Sequence, residues 1–315
     1  MHIATTETVL ARFAAHFGPS AQCAVMMPPV MMPMHMAVDA TPLAVSTSAG
    51  GSFFLKLYAP DMLPFIDVPA AIEASVLAGV RGIGPAVVAH AADMGAILFE
   101  WLAPDSWRMA RRDDLRAPET LNAVVQAKRA WHRGPPLGRT RSPFDVIRAH
   151  LATIAALGDR VPPLACLHTL RAWTDAIEQA IAAAGSDIRP LHGENTVSNV
   201  LLGAGNAVRL VDFDQAANGD PYYDLAALCL ECCSFDDEVE AVVALYLGAP
   251  DRRALARVLA YMVVDDVLWG CWGLIAQATS PRSGGIEFYK YAQNRFLRCQ
   301  YWLGIREFGA LLRQL

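Results

Sequence analysis

Residues 13 to 38 contain no Asp, Glu, Lys or Arg. A charge-free run of that length is what a membrane span needs, but Pro19, Pro28, Pro29 and Pro33 interrupt it, so it cannot form one unbroken spanning helix. The first residues also lack a basic stretch followed by an apolar core, the pattern of a secretory signal. The expectation is a soluble, cytoplasmic chain with no membrane partner. Basic charge is scarce too: 26 Lys plus Arg stand against 31 Asp plus Glu, a formal net charge of -5. Nucleic acid is excluded as an expected partner, because binding it needs a basic face to meet phosphates. An acidic balance suits a small cationic partner instead. Cysteine supplies no framework. The seven, Cys23, Cys166, Cys229, Cys232, Cys233, Cys271 and Cys299, are odd in number and scattered through apolar runs, which reads as reduced thiols. Cys229 and Cys232 form a Cys-x-x-Cys with no second pair at zinc spacing, and read as two buried thiols on a helix. There is no internal repeat.

What is present is apolar residue in quantity, 54% of 315, with 18% charged. That is enough for a large core, and the length suits two lobes rather than one. Val9, Leu10, Phe13 and Phe17 predict an amphipathic helix over the first ~20 residues. Leu43-Ala-Val45, a Ser-Ala-Gly-Gly-Ser turn and Phe53-Phe-Leu-Lys-Leu-Tyr58 predict a β-hairpin with Gly50-Gly51 at its tip. A helix is expected from Ala70 to Val80, with Pro69 at its start, and strands at Ala86 to His90 and Ala96 to Trp101. The fold class is α+β: a small antiparallel-sheet lobe over residues 1–103 with one helix, then a larger, mainly helical lobe over 104–315. That second lobe is expected to carry one hairpin, Asn199 to Leu202 and Val208 to Phe213. A cluster of Met26, Met27, Met31, Met32, Met34 and Met36 around His35 has soft ligands for Cu(I), but reads first as adaptable packing.

The segment richest in chemistry is Leu191-His-Gly-Glu-Asn-Thr-Val-Ser-Asn199, followed thirteen residues later by Asp212-Phe-Asp214. Phosphoryl transfer from ATP needs a carboxylate to orient or deprotonate the attacking hydroxyl, and oxygen ligands that hold Mg²⁺ on the phosphates. Glu194, Asn199 and Asp212 supply those parts, and the predicted hairpin brings Asn199 and Asp212 together to share a metal. Asp214 is expected either to touch a second metal or to cap the following turn. Asp224 reads as an anchor of the catalytic loop, and His192 as a structural residue bonding backbone near it.

His192-x-Glu194-x-x-x-x-Asn199 and Val211-Asp-Phe-Asp-Gln-Ala-Ala-Asn-Gly-Asp-Pro-Tyr-Tyr-Asp-Leu225 resemble the signature of the aminoglycoside phosphotransferase and choline kinase superfamily. The resemblance implies a two-lobed protein-kinase-like fold with a nucleotide-binding first lobe and a catalytic, substrate-binding second lobe. It further implies that Lys56 pairs with ATP phosphates, that Glu73 is its ion-pair partner, and that Phe99-Glu100-Trp-Leu102 is the hinge meeting the adenine. Asp265-Asp-Val-Leu-Trp-Gly-Cys-Trp-Gly and Ile286-Glu-Phe-Tyr-Lys-Tyr-Ala-Gln-Asn-Arg-Phe296 are similar to the choline/ethanolamine kinase subgroup. There two tryptophans, a tyrosine and an acid enclose a quaternary ammonium, at positions matching Trp269, Trp272, Tyr291 and Glu231. The physics agrees: such a cation donates no hydrogen bond, each aromatic face gives it ~0.5–2 kcal/mol, and Trp269 and Trp272, three apart, share a helical face. The implied cofactors are ATP and Mg²⁺, the partner is a small cationic alcohol, and a homodimer is left open.

Two positions depart from the resembled pattern. Glu194 stands where that family has Asp, which moves the carboxylate by ~1.5 Å, and misplacement of ~1 Å can cost ~100-fold. The segment before Asp39, where a Gly- or Ser-rich phosphate-covering loop is expected, is rich in Met and Pro and contains no glycine, Gly50 and Gly51 belonging to the hairpin turn. Three readings follow: a choline-like kinase; a phosphotransferase for an aminoglycoside, a sugar or an amino-acid alcohol; and a pseudokinase that binds a cationic ligand without turnover.

Overall fold

Short runs rich in β-branched, aromatic and other apolar residues build the first part of the chain around a five-stranded antiparallel sheet, ordered β1-β2-β3-β5-β4. The computed structural model describes residues 5–17, 20–31, 35–48, 50–194 and 196–315. The N-terminal amphipathic segment forms two helices rather than one, α1 (Thr6–Arg12) and α2 (Ala14–Phe17), with Phe13 between them at φ -98 and ψ 11. Thr5 caps α1. The break lets Val9, Phe13 and Phe17 bury together with Leu43, Val45, Leu55 and Leu98 of the sheet. Strands β1 (Ala21–Val25), β2 (Ala40–Thr47) and β3 (Ser52–Tyr58) follow. Gly50, at φ +82, makes the β2–β3 turn where it was expected; Ala49 of that turn, like Met32 and Met34 of the methionine cluster, lies outside the described residues.

Helix α3 (Val68–Val80) starts at the Asp67 cap with Pro69 in its first turn, and β4 (Val87–Ala91) and β5 (Ala96–Glu100) complete the sheet. The short β6 (Trp107–Met109) then carries this unit past the boundary expected at residue 103. The chain continues through α4 (Pro118–His132), α5 (Pro143–Leu157), α6 (Leu167–Ala184) and β7 (Arg189–Leu191). It next forms the hairpin β8 (Val200–Gly203) and β9 (Val208–Leu210), then β10 (Ala217–Gly219), α7 (Pro221–Cys232), α8 (Asp236–Leu247), α9 (Arg252–Thr279), α10 (Phe288–Gly304) and α11 (Phe308–Leu312).

Two compact units result: Met1–Arg111 with Val197–Ala216, and Arg112–Thr196 with Ala217–Leu315. The β8–β9 hairpin, expected within the helical lobe, therefore belongs with the first unit. Its hydrogen bonds explain why. β8 pairs antiparallel with β6, and the Leu210 N–H donates to the Ile83 carbonyl at 2.8 Å. In the second unit, the 28-residue α9 is long and apolar enough to cross a membrane by length and composition, yet its apolar window is wholly buried in the protein. Helices α5, α7 and α10 pack against it.

Two glycines set how closely α10 approaches. A Cβ on Gly270 would lie 2.5 Å from the Phe296 ring, and one on Gly273 would lie 3.1 Å from the Ala292 Cβ. Gly270→Ala is expected to lower the free energy of unfolding by about 1–3 kcal/mol, the usual cost of overpacking. Urea denaturation would show the midpoint falling with its slope unchanged; an unmoved midpoint would contradict the α9–α10 contact.

Candidate functional site

The period-2 geometry of β3 decides what the first unit presents. Phe53, Leu55 and Leu57 face the apolar core, so Lys56 and Tyr58 point from the other side of the sheet. There the Lys56 ammonium donates to Asp212 and, at 2.6 Å, to Asp214 Oδ1. The Tyr58 hydroxyl donates to the same Asp214 oxygen at 2.6 Å. The end of the β8–β9 hairpin delivers the other members. The Val211 N–H donates to the Asn199 carbonyl at 3.0 Å, and Asn199 Nδ2 donates to Asp212 Oδ2 at 3.2 Å. Asp212 itself sits at φ +70, a left-handed conformation that a non-glycine residue adopts at a cost.

The electrostatics follow from crowding. Burial works against the charged form of Lys56, but Asp212 and Asp214 overcome it and hold the ammonium well above its ordinary range. For Asp214, burial and then repulsion from Asp212 push its carboxyl up to about 7, against the pull of Lys56 and Tyr58. Its Oδ2 is buried and has no hydrogen-bond partner among the described residues. Two close carboxylates, one with an oxygen still unmatched, and the remaining amide oxygen of Asn199 make an all-oxygen donor set suited to a hard divalent cation.

The other residues assigned to nucleotide are placed as follows. Glu73 is exposed on α3, while the cation expected to meet it is held by Asp212 and Asp214. Glu100 ends β5, where its Oε1 accepts from the Ala86 N–H at 2.8 Å; Leu102 follows, half-buried. In the methionine segment Met31 is buried and Met26 exposed, Val30 and Met36 bridge, and the His35 ring lies 3.3 Å from the Asp39 carboxylate.

The second unit carries Glu194, buried just beyond β7. The loop before it is anchored as the sequence suggested. Asp224, fully buried in the first turn of α7, accepts from the His192 N–H at 2.7 Å and the Gly193 N–H at 2.9 Å, with His132 Nε2 at 3.0 Å. Gly193 sits at φ +83, where a side chain would be strained. Burial disfavours the Asp224 charge, but buried Lys128 and the histidine bonds outweigh it and hold the carboxyl far below its ordinary range.

Of the residues expected to enclose a cation, Trp269, Trp272 and Tyr291 come together in this unit. The Trp269 and Trp272 rings are 5.4 Å apart edge-to-face, and Trp272 lies 6.0 Å from Tyr291 and 5.7 Å from Phe288. Glu231 is half-buried near the end of α7. Sequence reasoning missed a resident cation: the Arg295 guanidinium stands 5.0 Å from the Tyr291 ring centre. It also donates to Asp266 at 3.1 Å and Asp265 at 3.3 Å, while Arg298 grips Asp266 and the Tyr223 hydroxyl donates to Asp265 at 2.9 Å. The signal was there, since Arg295 is four residues past Tyr291 on one helix. Tyr58 was also missed, and its two-residue offset from Lys56 could have found it.

The Asp224 anchor has a thermodynamic signature. Its depressed pKa means that the stability it contributes is present above the unfolded value, near 4, and is lost as pH falls below that. Asp224→Asn leaves Lys128 buried without its counter-charge and is expected to cost about 3–5 kcal/mol at pH 7. In urea melts the gap between variant and parent should narrow as pH drops below about 4; a gap that stays constant with pH would argue against the anchor.

Comparison with known proteins bears on all of this. Residues 38–258 match the model of the phosphotransferase enzyme family. A probable choline kinase 1 from Arabidopsis thaliana is 22% identical over 223 residues, covering 62% of this chain and 63% of that protein, so the match spans less than two thirds of the relative. Among solved structures, a choline/ethanolamine kinase family protein from Mesorhizobium loti has a TM-score of 0.78 at 20% identity, covering 98% of each chain. Choline kinase LicA from Streptococcus pneumoniae also has a TM-score of 0.78, at 16% identity, covering 95% of this chain and 99% of its own, and LicA has been solved in complex with AMP. These structures share the kinase-like fold, an antiparallel-sheet N-terminal part and a helical C-terminal part. With more than half of its length matched by the family model, the chain belongs to the phosphotransferase enzyme family.

Proposed function

We propose that this protein is an ATP- and Mg²⁺-dependent kinase that phosphorylates the hydroxyl of a choline- or ethanolamine-like amino alcohol. The observation that carries the reading is the buried cluster of Lys56, Asn199, Asp212 and Asp214, with one carboxylate oxygen left unmatched. The AMP complex of LicA supports an adenine nucleotide as donor. Asn199, Asp212 and Asp214 would hold the metal, which supplies positive charge to the phosphates when bound. Lys56 then clamps donor phosphate oxygens, and Glu100 and Leu102 lie along the stretch assigned to adenine. Glu194 takes the proton of the acceptor hydroxyl; the hydroxyl oxygen bonds to the γ-phosphorus, the bond from that phosphorus to the bridging oxygen breaks, and ADP leaves. Trp269, Trp272, Tyr291 and Glu231 hold the cationic head.

Arg295 on the face of Tyr291 supports a second reading, in which the acceptor is another hydroxylated small molecule. A ligand ammonium would have to share that aromatic cluster with a guanidinium already paired to two carboxylates.

ADP release by the purified protein with Mg-ATP separates the readings. Stimulation by choline, ethanolamine or their methylated intermediates is expected. Glu194→Gln should lower the rate by about 10²–10⁴-fold, as loss of a general base does. Stimulation by an aminoglycoside or a sugar instead would select the second reading. If no acceptor stimulates release and Glu194→Asp does not restore it, the kinase assignment fails.

A further inference from the structure

Arg141 is carried by a strap of backbone fastened to one residue. The Leu137 N–H donates to Asn218 Oδ1 at 2.9 Å, and Asn218 Nδ2 donates to the Leu137 carbonyl at 2.6 Å. The Asn218 N–H donates to the Arg139 carbonyl at 2.7 Å, and the Arg141 N–H donates to the Asn218 carbonyl at 3.1 Å. Asn218 is the middle residue of β10 and is in register with Pro190 of β7, the strand that leads directly into His192, Gly193 and Glu194. Strap and catalytic loop are thus built on the same small sheet of the second unit.

The guanidinium on this strap is poorly matched. Arg141 Nε is buried and has no hydrogen-bond partner among the described residues. Burial works against its charge, as does the neighbouring Arg139, while Glu194 and Asp265 favour it. Asp265 is engaged by Tyr223 and Arg295 and makes no hydrogen bond to it. The second arginine on the strap, Arg139, adds like charge. Arg295 and Arg298, by contrast, are both joined to carboxylates. A half-buried guanidinium with an unused donor, on a backbone strap fastened to the sheet that leads into Glu194 and with Arg139 adding like charge, has the chemistry of an oxyanion receptor. Its planar fork matches phosphate oxygens as a lysine does not.

We propose that Arg141 contacts phosphate: its guanidinium takes the oxygens of the phosphoryl group as it joins the acceptor, and of the phosphomonoester product, beside Glu194. The proposal rests on the phosphotransferase reading above for the identity of that product. The anion site itself can be tested without turnover.

The experiment measures inorganic phosphate binding by calorimetry on the full-length protein, Arg141→Gln, Arg141→Lys and, as a control, Arg148→Gln, an exposed arginine paired with Asp145 and Glu178. ADP release is followed on the same samples, with phosphate as inhibitor. The parent and Arg148→Gln should bind phosphate equally. Arg141→Gln should weaken binding by about ten-fold or more, and Arg141→Lys, which keeps the charge but loses the fork, should fall between. Under turnover, phosphate should compete with the acceptor in the parent and lose that competition in Arg141→Gln. Phosphate binding within two-fold of the parent (about 0.4 kcal/mol) in a folded Arg141→Gln or Arg141→Lys would overturn the proposal, as would a parent that does not bind phosphate. A parent that binds phosphate through Arg141 but turns over no acceptor would sink the kinase reading alone. A parent that turns over an acceptor while its phosphate affinity ignores Arg141 would sink this proposal alone.

Discussion

One ammonium between a buried and a half-buried carboxylate organises the first unit. Asp212 and Asp214 are two residues apart beyond a strand end, and neither could stay ionised beside the other without a cation. Lys56 is the charge that makes the arrangement tolerable, and it reaches them because β3 alternates: the residues on either side of it are committed to the core. The hairpin bearing the two acids must therefore fold with the sheet that bears the lysine. This is why β8 and β9 belong to the first unit although the chain visits the second before reaching them. Even so the cation is not sufficient, since burial and mutual repulsion still push Asp214 up to about 7. A second positive charge would complete the set, and that is the physical content of the metal assignment.

Aspartates elsewhere in the chain show how far surroundings decide a carboxylate's work. Asp224 is as buried as Asp214, yet its pKa moves the opposite way, because successive backbone N–H groups, a histidine and Lys128 all favour the charged form. It fixes main chain and needs no ligand. Asp265 and Asp266 are tied to arginines and brace α9 against α10, next to the aromatic cluster. The unmatched oxygen on Asp214 distinguishes it from these structural acids and is the ground on which it is proposed as a metal ligand.

Much of this was legible before any coordinate. Apolar runs, with Gly50-Gly51 at one turn, located β2, β3, β4 and β5, and Pro69 at a helix start located α3. The acid-amide-acid order also located the Asn199–Asp212 pair, because a hairpin of that length has to bring its ends together. What escaped was whatever depends on partners distant in sequence. Nothing around residue 13 signals a break, which exists because Phe13 and Phe17 both pack on the sheet. The three-residue strands β6, β7 and β10 are too short for periodicity to register and are specified by their pairing. The partners of residues assigned from resemblance are likewise distant in sequence: Lys56 is held by Asp212 and Asp214, and Arg295 stands over the Tyr291 ring, a neighbour that no ammonium-cage argument would have supplied.

The same anchoring bears on why a glutamate stands at position 194 where the resembled family has aspartate. A longer side chain can be absorbed either by retreat of the backbone or by a different seat for the acceptor. Retreat is blocked at the two preceding residues: Asp224 holds the N–H groups of His192 and Gly193 together, and Gly193 already occupies a left-handed conformation that allows the turn. Moving that segment by the ~1.5 Å of one carbon–carbon bond would break charge-assisted bonds to a fully buried carboxylate. With the backbone held, the extra length is expressed at the carboxylate end. The guanidinium of Arg141, carried on the strap fastened to β10 while β7 feeds the Glu194 loop, keeps its Nε donor unmatched among the described residues, and this is the physical ground for assigning it to an anion.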